Sequence, residues 1–240
     1  MKKKRKRRHR IRKTILGLLA ILLCMVLGAG TVWGMRGYGM YQEAVTEKPL
    51  DERVEEIRNT EQFTSYSELP PFYVKATVSV EDHRFFDHWG IDPIAIGRAL
   101  WTDIKAMSFV EGGSTITQQL AKNLLFTQDK KMERKAGEVF AALELESKYT
   151  KEEIFELYAN TAYFGSGYYG IYQASMGYFG KKPLELTNFE SAMLAGIPNA
   201  PSAYSPDANK ELASRRVKHV LNSMVMHKII TREEADEIEG

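Results

Sequence analysis

Cysteine and histidine are scarce in this sequence. Its 240 residues contain one cysteine, Cys24, and five histidines, none of them in a His-x-x-x-His spacing. A fold held by disulfides is therefore excluded, and a zinc site is disfavoured because the usual ligand pairs are missing. We expect an apolar core alone to hold the chain together, and we expect no organic cofactor.

Charge is missing from one long segment. Residues 14–35 contain no Lys, Arg, Asp or Glu, whereas ten of the first thirteen residues are Lys or Arg. As a helix, the apolar run at 15–33 would span about 28 Å, close to the ~30 Å hydrocarbon core of a bilayer. Basic residues stay on the cytoplasmic side. The sequence therefore predicts a cytoplasmic tail at 1–13, a single-pass transmembrane signal-anchor at 14–35 and an extracytoplasmic remainder. A cleaved signal peptide is the alternative, since small residues occur at 27–30, but its apolar region usually has only ~7–15 residues.

The positive charge is confined to the basic tail. The chain as a whole has a net charge of +2, but without those ten residues 23 basic residues face 31 acidic ones, a balance of −8. Nucleic acid is therefore not an expected partner, because its binding needs a basic surface on the folded domain. A basic block next to a spanning helix is better explained as a topology signal that also contacts anionic lipids.

The remaining sequence predicts a mainly α-helical protein. Residues 36–65 are polar and weakly patterned, which suggests a linker or stalk, and residues 66–240 are predicted to form one domain. Helix starts are expected at Pro70-Pro71, at Asp92-Pro93 and at Gly112-Gly113-Ser114. The sequence contains no repeat and no convincing alternating strand. Further starts with a capping-box spacing are Thr150, Thr187 and Thr231.

Polar side chains at helical spacing follow the Gly-Gly turn. Ser114, Gln118 and Lys122 fall at i, i+4 and i+8 and should share one face, opposite an apolar stripe that begins at Ile116. A hydroxyl, an amide and an ammonium near a helix N-terminus can bind an anion or a sugar. An ordinary solvated helix face is the alternative.

A second helix carries Arg134 and Glu138 at i, i+4. As a surface ion pair they would contribute only a few tenths of a kcal/mol. Together with Lys130, Lys131 and Lys135, however, Arg134 forms a basic cluster suited to phosphate oxygens.

Glu81 and Asp82 are adjacent carboxylates among aromatic residues. Burial beside aromatic side chains could raise the pKa of a glutamate towards neutrality, as a general base requires. Glu81 is the favoured catalyst, although Asp82 could be the important residue or Glu81 could only cap a helix end. His83 and His88 are expected to pack or to form hydrogen bonds within the loop.

Five segments form an ordered series of motifs. They are Glu-Asp-His-Arg-Phe-Phe-Asp-His-Trp-Gly at 81–90, Gly-Ser-Thr-Ile-Thr-Gln-Gln-Leu-Ala-Lys-Asn at 113–123, Arg-Lys-Ala-Gly-Glu at 134–138, and the segments at 151–165 and 215–221. The series resembles the five signature motifs of the peptidoglycan glycosyltransferases, the transglycosylase module of class A penicillin-binding proteins. Five motifs in the right order over about residues 66–228 make the resemblance highly specific. Other motif positions are Asp82, Phe85, His88, Gly90, Thr115, Asn123, Glu156, Tyr158 and Asn160.

The resemblance implies a lysozyme-like, two-lobed fold and a mechanism. Lipid II, a disaccharide-pentapeptide on an undecaprenyl pyrophosphate, would be the substrate. Its polymerisation would give β-1,4-linked glycan strands with inversion and release of undecaprenyl pyrophosphate. Glu81 would be the general base, and Glu138 would position the cationic side chains or hold a divalent cation such as Mg²⁺ or Mn²⁺. Substrate-binding residues would be Ser114, Gln118, Gln119, Lys122, Lys130, Arg134 and Lys135.

The resemblance also implies a setting for the reaction. The family's smaller lobe dips into the bacterial cell membrane, and Trp101, Met107, Phe109 and Val110 lie where that segment should be. Neither Ser-x-x-Lys nor Lys-Thr-Gly of a transpeptidase occurs, so a monofunctional enzyme is expected. Partners would be lipid II, the growing strand, the bilayer and other wall-synthesis proteins. Two alternatives are a lysozyme-like lytic glycosidase and an inactive membrane-anchored scaffold.

Overall fold

The chain folds almost entirely into helices. The structure, a computed structural model, describes residues 2–106, 112–126 and 132–239. Within these ranges it contains no β-strand, only a single antiparallel bridge between Tyr163 and Tyr169. The prediction of a mainly α fold is therefore confirmed. The α-helices are α1 (Lys2–Glu47), α2 (Leu50–Arg58), α3 (Pro71–Glu81), α4 (Pro93–Ala106), α5 (Ile116–Leu125), α6 (Met132–Lys148), α7 (Lys151–Thr161), α8 (Ile171–Phe179), α9 (Asn188–Gly196), α10 (Pro201–Tyr204), α11 (Lys210–Met226) and α12 (Arg232–Glu239), with short 3-10 turns at Tyr66–Glu68, Pro183–Glu185 and Ile197–Asn199.

Six of the described helices enclose the core. Helix α3 packs against α9 and α11, and α5 packs against α6 and α7. The ring of Phe155 lies 6.1 Å from the rings of Tyr73, Phe85 and Tyr158, all fully or almost fully buried. Tilted and edge-on aromatic pairs of this kind add to the apolar burial that stabilises the fold. The aromatic cluster joins the N-terminal part of α3, through Tyr73, and the loop after α3, through Phe85, to α7.

The segment predicted as a linker is helical and packed. The C-terminal part of α1 runs along α6, where a Cβ on Gly37 would come within 2.7 Å of the Gly137 backbone nitrogen. Tyr38 meets Phe140 edge to face at 5.1 Å. The following helix α2 buries Leu50 in the core. The weak pattern of 36–65 misled the prediction because two glycines and several charged residues hide a narrow apolar face.

The predicted membrane anchor is not identified as a span. Among the residues that the structure describes, none of the helices is both long enough and apolar enough to cross a membrane. The transmembrane signal-anchor at 14–35 therefore stays a prediction.

Most predicted helix starts are confirmed. The carboxylate of Asp92 accepts hydrogen bonds from the backbone N–H groups of Ile94 and Ala95 at 2.9 and 3.0 Å, with Pro93 as the first residue of α4. Reciprocal capping boxes begin α7 at Thr150 and α9 at Thr187. These bonds satisfy backbone donors that a helix N-terminus leaves free.

Helix α5 begins later than predicted. Residues 112–115 are not helical, and α5 starts at Ile116 with Thr115 as its N-cap. The Thr115 hydroxyl accepts from the Gln118 backbone N–H at 3.1 Å, and the Gln118 side-chain oxygen accepts from the Thr115 N–H at 3.0 Å. The capping box therefore determines the start of α5, and the Gly-Gly pair stays outside the helix.

Candidate active site

Glu81 is the last residue of α3 and faces a cleft. Its carboxylate accepts a hydrogen bond from Gln119 Nε2 at 2.9 Å and one from the Arg216 guanidinium at 3.3 Å. The side chain is only 8 % exposed. Burial raises the pKa of Glu81, although the Gln119 hydrogen bond and the positive charge of Arg216 offset part of the effect. The result is a carboxylate with enhanced basicity that remains at the cleft surface.

Asp82 has a structural role instead. One of its oxygens accepts from the Ile116 backbone N–H at 3.0 Å, the first residue of α5, and His88 Nε2 lies 2.9 Å from both oxygens. Asp82 and His88 are both buried. A carboxylate at a helix N-terminus is stabilised by the free N–H groups and the helix dipole. Asp82 therefore ties the loop after α3 to α5, and Glu81 stays the predicted base.

The same loop closes against α6 through Gly90. Gly90 has a φ of 78°, and a Cβ there would lie 3.1 Å from the Ala142 carbonyl oxygen. Its own carbonyl accepts from the Thr115 hydroxyl at 2.7 Å. A side chain would be both strained and crowded, so glycine is required for the loop to reach α5 and α6.

Glu138 organises the cationic side of the cleft. It is 1 % exposed and forms ion pairs with Arg134 and with Lys135, whose Nζ lies 2.6 Å from Glu138 Oε2. Lys135 also donates to the Ser114 hydroxyl at 2.6 Å. The simple surface ion pair weighed for Arg134 and Glu138 is therefore wrong, because the carboxylate is buried. It instead holds two cationic side chains at the cleft.

Lys122 is the least engaged of these cationic residues. It lies on the cleft wall, and it makes no hydrogen bond or ion pair with any residue that the structure describes. Burial lowers the pKa of Lys122, with Glu138 opposing this effect and the positive Arg134 and Lys135 adding to it. An ammonium group held in this way among other cations is suited to an anionic ligand.

Arg216 is the site residue that the sequence analysis missed. It belongs to the fifth motif, and its guanidinium joins Glu81 to the Gly196 carbonyl oxygen, at 3.0 Å from the latter. The guanidinium also lies over the Tyr204 ring at 5.4 Å. The only signal in the sequence was the motif itself, since 135 residues separate Arg216 from Glu81.

The residues of the site line one large cleft. Its volume is roughly 1290 Å³, above the ~300–1,000 Å³ typical of sites for small molecules. Among the described residues that line it, six are Lys or Arg and three are Asp or Glu. The cleft can therefore take a ligand larger than a monosaccharide and carrying negative charge.

Several predicted site residues lie outside this cleft. Gln118 is buried and its side chain completes the capping box, so the prediction that it shares a ligand-binding face with Ser114 is wrong. Gln119 takes that place through its bond to Glu81. Trp101 on α4 is 61 % exposed. Lys130, Lys131, Met107, Phe109 and Val110 lie outside the described residues.

Residues of the fourth motif hold the segment that precedes α3. Asn160 donates to the Thr64 carbonyl at 2.8 Å and accepts from its N–H at 2.9 Å, and Glu156 accepts from the Tyr66 N–H at 2.8 Å. Tyr158 is buried in the core. Two residues of the other motifs have similar roles: Phe85 belongs to the aromatic cluster, and Asn123 donates to the Thr161 carbonyl at 3.4 Å.

The alternative role of Glu138 as a metal ligand does not fit its surroundings. Its two oxygens are already paired with Arg134 and Lys135. Within the described ranges, no group of three or more His, Cys, Asp or Glu side chains could hold a metal ion. A divalent cation needs several oxygen ligands, so this donor set favours the positioning role of Glu138.

The chain is similar to known proteins over most of its length. The family model described as "Transglycosylase" matches residues 47–225. Penicillin-binding protein 2D of Bacillus subtilis is 46% identical over 171 residues, which cover 71% of this chain and 25% of that protein. Penicillin-binding protein 1A of Aquifex aeolicus is 43% identical over 175 residues, or 73% of this chain and 24% of that protein. The chain thus spans about a quarter of the length of these relatives.

One solved structure is a weaker match. The 2.6 Å crystal structure of penicillin-binding protein 1A from Haemophilus influenzae matches with a TM-score of 0.36 and 29% identity, covering 52% of this chain and 15% of that one. This superposition is too weak to establish a shared fold, so the lysozyme-like, two-lobed architecture stays a prediction. The family model, by contrast, covers the cleft from Glu81 to Arg216, and on that match the chain belongs to the transglycosylase family of the class A penicillin-binding proteins.

Proposed function

We propose that this chain is a peptidoglycan glycosyltransferase that polymerises lipid II into β-1,4-linked glycan strands and releases undecaprenyl pyrophosphate. One observation carries the proposal. A single cleft joins a buried glutamate of raised pKa, Glu81, to a cluster of cationic side chains held by Glu138. Glycosyl transfer from a pyrophosphate donor needs both a base for the acceptor and positive charge for the leaving group.

Glu81 acts on the acceptor side. The 4-hydroxyl of the acceptor GlcNAc attacks C1 of the donor MurNAc and gives its proton to the Glu81 carboxylate. Because the donor is α-linked, attack from the opposite face yields the β-linked product in one displacement. Gln119 and Arg216 fix the carboxylate orientation, and both oppose the rise in the pKa of Glu81 that burial causes.

The cationic cluster acts on the leaving group. As the bond from C1 to the phosphate oxygen breaks, negative charge accumulates on the pyrophosphate. Lys122, which has no polar partner among the described residues, is available to bind it directly, and Arg134 and Lys135 are held nearby by Glu138. Preorganised cations stabilise this charge without the reorganisation that water would require.

The membrane setting is part of the proposal. A polyprenyl-linked substrate is confined to the bilayer, and the uncharged run at 14–35 beside a basic tail fits a single-pass anchor with the cleft outside the cytoplasm. The exposed apolar residues of α4, Trp101 among them, are suited to contact with lipid. Lipid II, the glycan strand and other wall-synthesis proteins would be its partners.

The two alternative functions explain less. A lytic glycosidase would cleave a neutral glycosidic bond and has no need of six cationic side chains in its cleft. An inactive scaffold would have no reason to keep Glu81 buried against Gln119 and Arg216, because burial of an ionisable group is costly.

The test is polymerisation of lipid II by the detergent-purified protein, with Glu81→Gln as the matched variant. Wild type should give a ladder of glycan strands on a gel, and the variant should give none. Bound but unpolymerised lipid II with the wild-type protein would favour the scaffold. Shortening of preformed strands would favour the lytic enzyme.

A further inference from the structure

A second cavity, which we call the side pocket, adjoins the active-site cleft. Its volume is roughly 720 Å³, within the range of sites that bury a small organic ligand. The N-terminal part of α3, the loop after it and the turn after α11 form the walls. The apolar lining residues are Leu69, Val74, Val78, Phe86 and Ile229, with Tyr66 and Pro71 at the edge.

The side pocket and the cleft share a wall. Ser79, His83 and His227 line both cavities. The rings of His83 and His227 stack at 4.3 Å with an angle of 12° between them, and neither ring forms a hydrogen bond with a described residue. Burial lowers the pKa of both, so at neutral pH each ring is uncharged and offers one N–H donor. Ser79 and His83 flank Glu81 in the sequence and belong to this shared wall, so the pocket lies beside the segment that carries the proposed base, although Glu81 itself lines only the cleft.

Two opposite charges at the pocket lack partners. Lys75 and Asp87 both line it, and the side chain of neither makes a hydrogen bond or ion pair with the part of the chain that the structure describes. Arg84, the other cationic lining residue, already pairs with Asp92 at 3.1 Å. Within the described part of the chain, an apolar floor with one unpaired lysine and one unpaired aspartate complements an amphipathic ligand that carries both a carboxylate and an amine.

We propose that the side pocket binds the pentapeptide stem of the acceptor substrate, with Lys75 pairing with its C-terminal carboxylate. The inference rests on the proposed function. A pentapeptide attached to the sugar through its N-terminus ends in a free carboxylate, and an amine on one of its side chains pairs with Asp87. Peptide carbonyls accept from the two histidine rings. The other parts of the substrate fit less well, because a polyprenyl chain has no polar groups for Lys75 and Asp87 and the sugars are neutral.

The test compares stem lengths in the full chain. Lipid II with a pentapeptide and lipid II trimmed to a dipeptide are offered to wild type, to Lys75→Gln and to Lys210→Gln. Lys210 is an exposed lysine outside both cavities and without a partner among the described residues, which makes it the matched control. For Lys75→Gln we expect KM with the pentapeptide substrate to rise about two- to fivefold at unchanged kcat, as loss of an exposed charged contact predicts. With the trimmed substrate, the KM of Lys75→Gln should equal that of wild type.

A second comparison tests the amine. Asp87→Asn should raise KM only for stems with a free side-chain amine and should have no effect once that amine is acetylated. Equal effects of Lys75→Gln on both stem lengths, or equal effects of the Lys210→Gln control, would overturn the proposal. Binding of the same labelled substrates to the Glu81→Gln variant separates the two inferences. If wild type polymerises neither substrate, the proposed function fails. A Kd that still depends on stem length and on Lys75 would nevertheless support binding of the stem in the side pocket.

Discussion

Two neighbouring carboxylates should respond in opposite ways to substitution. Asp82→Ala removes the acceptor of the Ile116 N–H and the partner of His88 Nε2, both buried. Glu81→Gln removes a charge whose burial the fold only partly compensates. We therefore expect the first change to destabilise the protein and the second to abolish activity without loss of stability.

The magnitude follows from the groups left without partners. A buried donor that loses its acceptor costs about 1–3 kcal/mol. With two such donors, Asp82→Ala should lower the free energy of unfolding by about 2–6 kcal/mol, a large part of the ~5–15 kcal/mol of a typical domain. Asp82→Asn keeps one acceptor oxygen for the Ile116 N–H and should lose about half as much.

The change in the free energy of unfolding expected for Glu81→Gln has the opposite sign. Because its pKa is higher in the folded than in the unfolded state, ionisation of Glu81 opposes folding above that pKa, and the penalty disappears as the pH falls through it. Glu81→Gln removes the penalty, so its unfolding midpoint at neutral pH should equal or exceed that of wild type. The assay is urea unfolding with equal m-values required. An Asp82→Ala midpoint equal to wild type, or a Glu81→Gln loss as large as that of Asp82→Ala, would refute the assignment of roles.

Three further predictions follow from single contacts. Arg216→Met should move the acid limb of the kcat/KM pH profile to higher pH, because loss of the guanidinium raises the pKa of Glu81 further. Arg216→Lys keeps the charge and should move the limb less. An unchanged acid limb would contradict the contact between Arg216 and Glu81. Lys122→Met should lower kcat/KM for strand synthesis by about 10²-fold, and Lys122→Arg should retain more activity. Near-normal turnover by Lys122→Met would rule out stabilisation of the leaving group by this residue. Gly37→Ala should lower the free energy of unfolding by about 1–3 kcal/mol, because its Cβ would collide with α6. Gly39→Ala has open space and should be neutral or stabilising. Equal urea-unfolding midpoints for the two variants would contradict the close packing of α1 on α6.

Local signals predicted many helix starts correctly. Thr150 and Thr187 cap helices as expected, and Asp92 caps α4, because each cap depends on bonds within three residues of itself. The start of α5 was predicted too early, at the Gly-Gly-Ser turn, although its cap is equally local. Thr115 and Gln118 form a stronger local signal than the preceding glycines, and the interpretation of the Gly-Gly pair overlooked it.

Long-range contacts decided which polar residues serve the site. Gln118 and Gln119 are adjacent and chemically identical, yet one caps α5 and the other binds Glu81. A rotation of about 100° per residue separates their directions, and only the packing of α5 determines which direction faces the cleft. The capping role of Gln118 follows from the Thr-x-x-Gln spacing, but no pattern within α5 shows that Gln119 reaches Glu81.

The sequence by itself determined the helical class, most helix starts and the family, and it predicted Glu81 and Glu138 as site residues, because these inferences depend on local spacing and on short motifs. Only the tertiary structure decided that Asp82 ties the loop to α5, that Arg216 reaches Glu81 across 135 residues, and that a side pocket shares His83 and His227 with the cleft. Such contacts depend on how α3, α5 and α11 pack around a common core, and packing is a property of the whole chain.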